Sequence, residues 1–173
     1  MEIATKTIEK IFERKVVPFI SVMGVDTASR TGWCKITTNP KYITLDYSFI
    51  DIQTKNKYHK YNQYIDIFFS LLSQNTDIII IEETYYGKNV KTFQLLSRLG
   101  GLVYAVAHKL GIKEKSFILA VSARKALGFK GNIKKAIIHK QFIKKMNLKL
   151  NDEDVIDAMI LALTGIFEEE KWF

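Results

Sequence analysis

Cysteine, proline and long apolar runs are all scarce in this chain of 173 residues. Its single cysteine, Cys34, excludes an internal disulfide framework and zinc modules built from several cysteines. No apolar run is long enough to span a membrane. Residues 1–15 are charged throughout and lack the apolar core of a secretory signal. We therefore expect a protein of the reducing cytoplasm that has no membrane association.

Acidic residues are nearly missing from residues 109–149, where Glu114 stands alone among many lysines. The net charge of the whole chain is +8, and this stretch carries much of the excess. Clustered positive charge attracts polyanions, and nucleic acid is the leading candidate partner. The alternative is a lysine-rich face that is merely solvated.

Hydrophobic residues make up 47% of the chain, which is enough for a folded domain with a substantial core. We expect one domain over residues 1–173, in which residues 1–18 are an N-terminal helical extension. Pro18 separates this helix from the first strand. The apolar residues of the extension share one side, as in a helix that covers a core: Ile3, Ile8, Ile11 and Phe12.

Apolar patterning after the extension predicts a series of strands and helices. The strands are expected over residues 19–26, 33–38, 42–52, 77–82 and 117–121. The helices are expected over residues 58–72, 92–110, 132–146 and 153–168. Three strands joined by short turns, followed by alternating helices and strands, predict an α/β fold of the RNase H-like class. Such a fold has a mixed five-stranded sheet flanked by helices.

Four carboxylates stand where burial should make a charge costly. Asp26 follows the apolar run 19–25, and Glu82 follows a run of isoleucines. Asp154 and Asp157 lie in the first turns of an apolar helix. Removing an isolated ionised carboxylate from water is expensive unless it is paired, hydrogen-bonded or bound to a cation. Because Lys and Arg are scarce beside these positions, a divalent metal ion is the expected partner.

Oxygen ligands alone suit hard cations, so we expect Mg²⁺, with Mn²⁺ able to substitute. Two such ions about 3.5–4 Å apart can hold the attacking water and the leaving oxygen of a phosphodiester cleavage. Asp26, central by position, is the best candidate for a carboxylate that bridges both ions. Glu83 alternates to the other face of the strand and ranks second to Glu82.

Each acid taken singly also fits a plainer role. Asp26 could cap a turn, Glu82 could be a solvated strand end, and Asp154 could complement a helix N-terminus. Taken together with the basic stretch, the acids favour a metal-dependent nuclease.

The helix over residues 92–110 has two distinct sides. Its apolar arc is expected to face the core: Leu95, Leu96, Leu99, Leu102, Val103, Val106 and Leu110. The small residues Ser97, Gly101 and Ala105 lie on the opposite side and permit close approach of another helix. This pattern fits a homodimer seam as well as it fits packing within one chain.

Three motifs of this chain resemble those of RuvC-type Holliday junction resolvases. Residues 24–33 (GVDTASRTGW) resemble the first motif, residues 81–89 (IEETYYGKN) the second, and residues 154–158 (DVIDA) the closing Asp-x-x-Asp-Ala motif. The similarity extends over about residues 20–165, in the family's order and spacing. The Lys-, Ile- and Asn-rich composition is similar to that of the phage branch, which would place the protein in the host cytoplasm.

The resemblance implies a homodimer that binds four-way DNA junctions and nicks two strands of like polarity with Mg²⁺ or Mn²⁺. Asp26, Glu82, Asp154 and Asp157 fall on the family's metal-binding acids. Lys135 falls on a catalytic lysine near the scissile phosphate. A second family lysine falls on Ala123, where Arg124 or Lys125 could replace it. The expected DNA contacts are Tyr85, Lys88, Asn89, Lys91, Arg124, Lys125, Lys130 and Lys134.

Three alternatives stay open. The first is another RNase H-like nuclease that cleaves RNA–DNA hybrids or processes RNA. The second is a non-catalytic junction-binding protein, although the complete set of acids argues against it. The third is a sugar-kinase or actin-like ATPase, because residues 26–32 also resemble the phosphate turn of those proteins. They need two such domains, for which this chain is too short.

Overall fold

The computed structural model describes residues 1–28, 30–85, 89–131 and 133–167. Its strands are β1 (Glu2–Ala4), β2 (Ser21–Asp26), β3 (Thr31–Thr38), β4 (Tyr42–Ile50), β5 (Ile78–Glu82) and β6 (Glu114–Ile118). Its helices are α1 (Thr5–Phe12), α2 (Lys57–Leu72), α3 (Val90–Lys109), α4 (Ala120–Ala126), α5 (Lys135–Met146) and α6 (Glu153–Thr164). Among these residues, no helix is both long and apolar enough to cross a membrane.

The strands form one mixed sheet in the order β1-β4-β3-β2-β5-β6. The pairs β1–β4, β4–β3 and β3–β2 are antiparallel, whereas β5 runs parallel to both β2 and β6. The α/β class and the mixed sheet expected from the sequence are therefore confirmed. The sheet has six strands rather than the expected five, because residues 2–4 of the extension pair with β4.

Alternation along the two central strands divides the core into two halves. Val22 of β2 and Ile80 of β5 pack on the α6 side, whereas Met23 and Ile79 pack on the side of α2 and α3. Since side chains alternate between the faces of a strand, Asp26 and Glu82 belong to the α6 side. Both predicted strand-end acids thus face the helix that carries Asp154 and Asp157.

The N-terminal extension is part of this core. Ile8 and Phe12 are buried within the α6-side cluster, and the Met1 ammonium group donates to the Leu45 carbonyl oxygen at 2.8 Å. The expectation of a covering helix is confirmed for α1. Ile3, by contrast, lies on β1 rather than on the helix.

Several boundaries differ from the expected ones. Strand β6 begins at Glu114, three residues before the expected start at 117, and α4 was not expected at all. Helix α5 begins at Lys135 instead of 132, and α6 ends at Thr164 instead of 168. The short helix α4 escaped pattern analysis because seven residues give too few turns for a periodic signal.

Candidate metal centre and nucleic-acid interface

Two glycines bring α6 unusually close to the sheet. A Cβ atom on Gly24 would lie 2.2 Å from the carbonyl oxygen of Ala158, and one on Gly32 would lie 2.2 Å from that of Asp154. No side chain fits in such a gap, so the helix backbone rests directly on β2 and β3. Gly32 is also the register partner of Asp26. This close approach sets the acids of α6 beside the end of β2.

Asp26 and Glu82 form the centre of the site. Their strands are parallel neighbours in which Val25 pairs with Ile81, so the two carboxyl groups lie side by side at the strand ends. Burial and the adjacent Glu82 carboxylate raise the pKa of Asp26 to about 9. Burial also raises the pKa of Glu82 above its usual range. Two carboxyl groups this close share a proton unless a cation replaces it.

Asp157 is buried, with 3% of its side chain exposed, and is contacted by Arg124, Lys135 and His139. Its Oδ1 accepts from Arg124 Nη2 at 2.9 Å and from His139 Nε2 at 3.0 Å. Lys135 Nζ forms an ion pair with Oδ2 at 2.6 Å. Burial opposes ionisation, but the contacts with His139, Lys135 and Arg124 outweigh it and hold the pKa of Asp157 below its usual range.

Lys135 lies in the electrostatic field of all four predicted acids. Burial disfavours its charge, but the Asp157 contact and the charges of Asp26 and Glu82 raise its pKa. The same ammonium group also favours ionisation of Asp154. In this structure Lys135 therefore supplies part of the positive charge that the acid cluster needs.

Asp154 lies at the edge of this cluster, with 27% of its side chain exposed. Its Oδ2 is 3.3 Å from Arg30 Nη1, and Arg30 Nη2 also donates to Asp152. Burial and the charge of Asp152 raise the pKa of Asp154, and Arg30 opposes that rise. The structure thus sets Asp26 beside Glu82 and places Asp157 near enough for its charge to raise the pKa of both, with Asp154 turned toward Arg30.

The strand-end pair fits a divalent cation. Within the described ranges, no three His, Cys, Asp or Glu side chains already converge as a metal-binding group. Asp26 and Glu82 nevertheless offer only oxygen donors. Burial destabilises both as anions, with a further contribution from Glu82 to Asp26 and from Asp157 to Glu82. A hard divalent ion would remove that cost, as Mg²⁺ and Mn²⁺ do at carboxylate sites.

The predicted DNA-binding residues fall into two groups. Several have exposed side chains: Tyr85, Lys91, Lys125, Lys130 and Lys134. Two have other contacts in this structure, since Arg124 reaches Asp157 and Asn89 caps α3 by accepting from the amides of Lys91 and Thr92. Lys88 lies outside the described residues. Ala123 is buried in the core, so of the two proposed replacements for the family lysine, only Arg124 contacts an acid.

The small-residue side of α3 faces away from the described part of the chain. Its apolar arc packs in the core as expected, with Leu99 and Val103 fully buried. Ser97, Gly101 and Ala105 are exposed, and nothing described lies within 4 Å of a Cβ atom built on Gly101. The exposed rings of Tyr104, on α3, and Phe117, on β6, stack against each other beside Gly100. Packing against another helix of the described residues therefore does not explain Gly101.

Sequence patterns missed two residues of the site. His139 is not part of any motif in the sequence, but it is buried on α5 with Ile138 and Phe142, and its Nε2 lies 3.0 Å from Asp157 Oδ1. Arg30 looked like part of a turn motif, and its contact with Asp154 is separated by 124 residues along the chain. No local signal in the sequence links these pairs.

A mixed sheet with buried acids at two adjacent strand ends and on a facing helix defines an RNase H-like metal-dependent nuclease. The family model for "Crossover junction endodeoxyribonuclease RuvC" matches residues 22–165. The chain therefore belongs to the RuvC family of crossover junction endodeoxyribonucleases, which are metal-dependent nucleases that resolve Holliday junctions. No curated protein sequence matches this chain significantly.

Solved structures of a bacterial relative share the fold. One is Thermus thermophilus RuvC in complex with a Holliday junction substrate, with 16% identity and a TM-score of 0.70, covering 86% of this chain and 93% of that chain. Another is Thermus thermophilus RuvC, with 15% identity and a TM-score of 0.71, covering 84% of this chain and 92% of that chain. At this identity the similarity establishes the fold.

Proposed function

We propose that this chain binds four-way DNA junctions as a homodimer and nicks two strands of like polarity, using Asp26, Glu82, Asp154 and Asp157 as metal ligands. The observation that carries the proposal is the pair of adjacent strand-end carboxylates, Asp26 and Glu82, which faces α6 and in which burial raises the pKa of both groups. Such a pair is costly in the metal-free protein and is well suited to a cation. The relative from Thermus thermophilus was solved with a Holliday junction.

Mg²⁺ is the proposed metal, and Mn²⁺ is expected to substitute for it. Asp26 and Glu82 would hold it from the strand ends, and Asp154 and Asp157 would hold it from α6. Bound there, it would polarise the phosphodiester and lower the pKa of a nucleophilic water. Asp157 would have to exchange at least one of its present contacts, because Arg124, His139 and Lys135 now occupy both of its oxygens.

Lys135 is the proposed catalytic cation of the chain itself. Its side chain is 42% exposed and its Nζ lies 2.6 Å from Asp157 Oδ2, so the residue borders both the acids and the solvent from which DNA arrives. A cation in that place stabilises negative charge that develops on the scissile phosphate. His139 and Arg124 position Asp157 from the opposite oxygen.

A dimer supplies the two sites that paired nicks require. The exposed side of α3, with Gly101 at its centre, is the proposed seam. The continuing apolar surface of Tyr104 and Phe117, whose rings stack at 5.7 Å, would be covered by the second copy.

Tyr85 is the proposed stacking contact for unpaired bases near the crossover. Its ring is 82% exposed and follows shortly after the metal ligand Glu82. An aromatic ring stacks on any base. Lys91, Lys125, Lys130 and Lys134 are proposed to bind phosphates. The phage origin and the cytoplasmic location stay predictions.

The test is cleavage of a labelled, immobile four-way junction beside an RNA–DNA hybrid and a linear duplex, each with Mg²⁺ and with EDTA. We expect Mg²⁺-dependent, symmetric nicks in two strands of like polarity on the junction, with the hybrid left intact. Hybrid cleavage without junction cleavage would favour an RNase H-type activity. Junction binding without any cleavage in Mg²⁺ or Mn²⁺ would favour a non-catalytic binding protein.

A further inference from the structure

A row of register partners crosses the sheet beneath the start of α6. Asp26 of β2 pairs with Gly32 of β3, and Gly32 pairs with Phe49 of β4. Register partners lie on the same face of a sheet, so all three face α6. The first turn of α6 rests on the middle of this row, at Gly32.

Arg30 joins the outer end of this row to the helix. Its guanidinium carbon, Cζ, lies over the Phe49 ring, 3.5 Å from the ring centroid. This contact holds the planar guanidinium group in place. One arm, Nη1, is 3.3 Å from Asp154 Oδ2, and the other, Nη2, donates to Asp152 Oδ2. A planar fork that stacks on a ring and holds two carboxylates cannot be reproduced by lysine.

The two carboxylates that Arg30 contacts, Asp152 and Asp154, have different roles. Asp152 caps α6 by accepting from the Val155 amide at 3.2 Å, so it belongs to the helix start. Asp154 is the proposed metal ligand, and the two like charges repel each other without a cation between them. The contact with Arg30 uses Oδ2 of Asp154, which leaves Oδ1 as the atom to meet a metal ion.

We propose that Arg30 is a positioning residue for the reaction: stacked on Phe49, it orients the Asp154 carboxylate at the start of α6 so that this carboxylate can bind the metal. The proposal rests on the proposed function, in which Asp154 is a metal ligand. It differs from a purely structural role, since it requires the metal affinity to depend on Arg30.

The experiment compares wild type with Arg30→Met, Arg30→Lys and Phe49→Leu. Arg14→Met is the matched control, since Arg14 lies over Phe167 beyond the opposite end of α6. Mn²⁺ binding is measured by calorimetry without DNA, junction binding by mobility shift in EDTA, and junction cleavage across a Mg²⁺ titration. Melting temperatures report folding.

Arg30→Met is expected to weaken Mn²⁺ binding about 10-fold and to raise the Mg²⁺ concentration for half-maximal cleavage by about the same factor. Junction affinity in EDTA should stay within about two-fold of wild type. The Mn²⁺ affinities of Arg30→Lys and Phe49→Leu should fall between those of wild type and Arg30→Met. Lysine keeps the positive charge beside Asp154, and Phe49→Leu keeps the guanidinium. Arg14→Met should match wild type in metal affinity.

Wild-type Mn²⁺ affinity in folded Arg30→Met would overturn the proposal while leaving the nuclease function intact. If Arg30→Met does not fold, Arg30→Lys decides in the same way: weaker metal binding supports the proposal and unchanged binding overturns it. A wild-type protein that neither binds Mn²⁺ nor cleaves junctions would overturn the proposed function together with this inference.

Discussion

The backbone of Asp154 lies against the backbone of Gly32. A Cβ atom at position 32 would come within 2.2 Å of the Asp154 carbonyl oxygen and 2.8 Å of the Val155 amide nitrogen. Glycine is therefore required here for steric reasons, and the position of a candidate metal ligand depends on a residue that has no side chain.

Gly32→Ala should push α6 away from the sheet at the end that carries the acids. We expect the free energy of unfolding to fall by about 1–3 kcal/mol, the usual cost of overpacking. Junction cleavage should fall more steeply than stability, because the helix start carries Asp154. Urea unfolding and a cleavage assay below the unfolding transition measure the two effects.

The control for that variant is Gly101→Ala, which adds the same methyl group on α3 where nothing described lies within 4 Å. Alanine in a helix is favoured over glycine by about 1 kcal/mol, so this variant should be no less stable than wild type. Equal effects of the two substitutions would contradict the steric role of Gly32.

Glu82→Gln should abolish cleavage and retain junction binding. The substitution keeps the size of the side chain and removes the charge that a metal ion needs. Glu83 follows β5, is exposed, and points away from α6 by alternation. Glu83→Gln should therefore cleave at nearly the wild-type rate in parallel Mg²⁺ assays. Normal cleavage by Glu82→Gln would refute the site assignment.

Stability of the metal-free protein should fall as pH rises. Burial and the neighbouring Glu82 raise the pKa of Asp26 to about 9 in the folded state, whereas an unfolded aspartate ionises near about 4. Between these values the folded protein holds more protons than the unfolded chain, so the free energy of unfolding decreases as pH increases. One fully displaced proton contributes a slope of about 1.4 kcal/mol per pH unit, and the slope ends above the folded pKa.

Urea unfolding in EDTA between about pH 5 and pH 9 measures this slope. Asp26→Asn is the matched variant, because it keeps the shape and removes the titrating group, and its profile should be flatter. Saturating Mg²⁺ should flatten the wild-type profile too, since the cation takes the place of the proton. Parallel profiles for wild type and Asp26→Asn would rule out a proton on this pair.

Gly101→Leu should shift the protein from dimer toward monomer. The leucine side chain fills the open side of α3 and prevents a second helix from approaching closely. Sedimentation velocity at several concentrations measures the change, and thermal unfolding checks that the monomer is folded. An unchanged dimer dissociation constant would show that this side of α3 is not the dimer seam.

Sequence patterns predicted the α/β class and most helices and strands because the apolar periodicities of these segments are long and regular. Strand alternation ranked Glu83 second and the family resemblance favoured Glu82; in the structure Glu82 shares the α6 side with Ile80. Patterns failed for β1, which has three residues, and for α4, which has seven, because such short elements show no period.

The sequence by itself determined the chemistry available at this site: acids after apolar strands, acids at the start of an apolar helix, and lysines in abundance. Only the tertiary structure decided which groups meet. The close approach at Gly24 and Gly32 sets α6 on the sheet, the pairing of β2 with β5 sets Asp26 beside Glu82, and Arg30 contacts Asp154, 124 residues further along the chain. Contacts of this kind depend on distances between elements, and a linear pattern carries no measure of those distances.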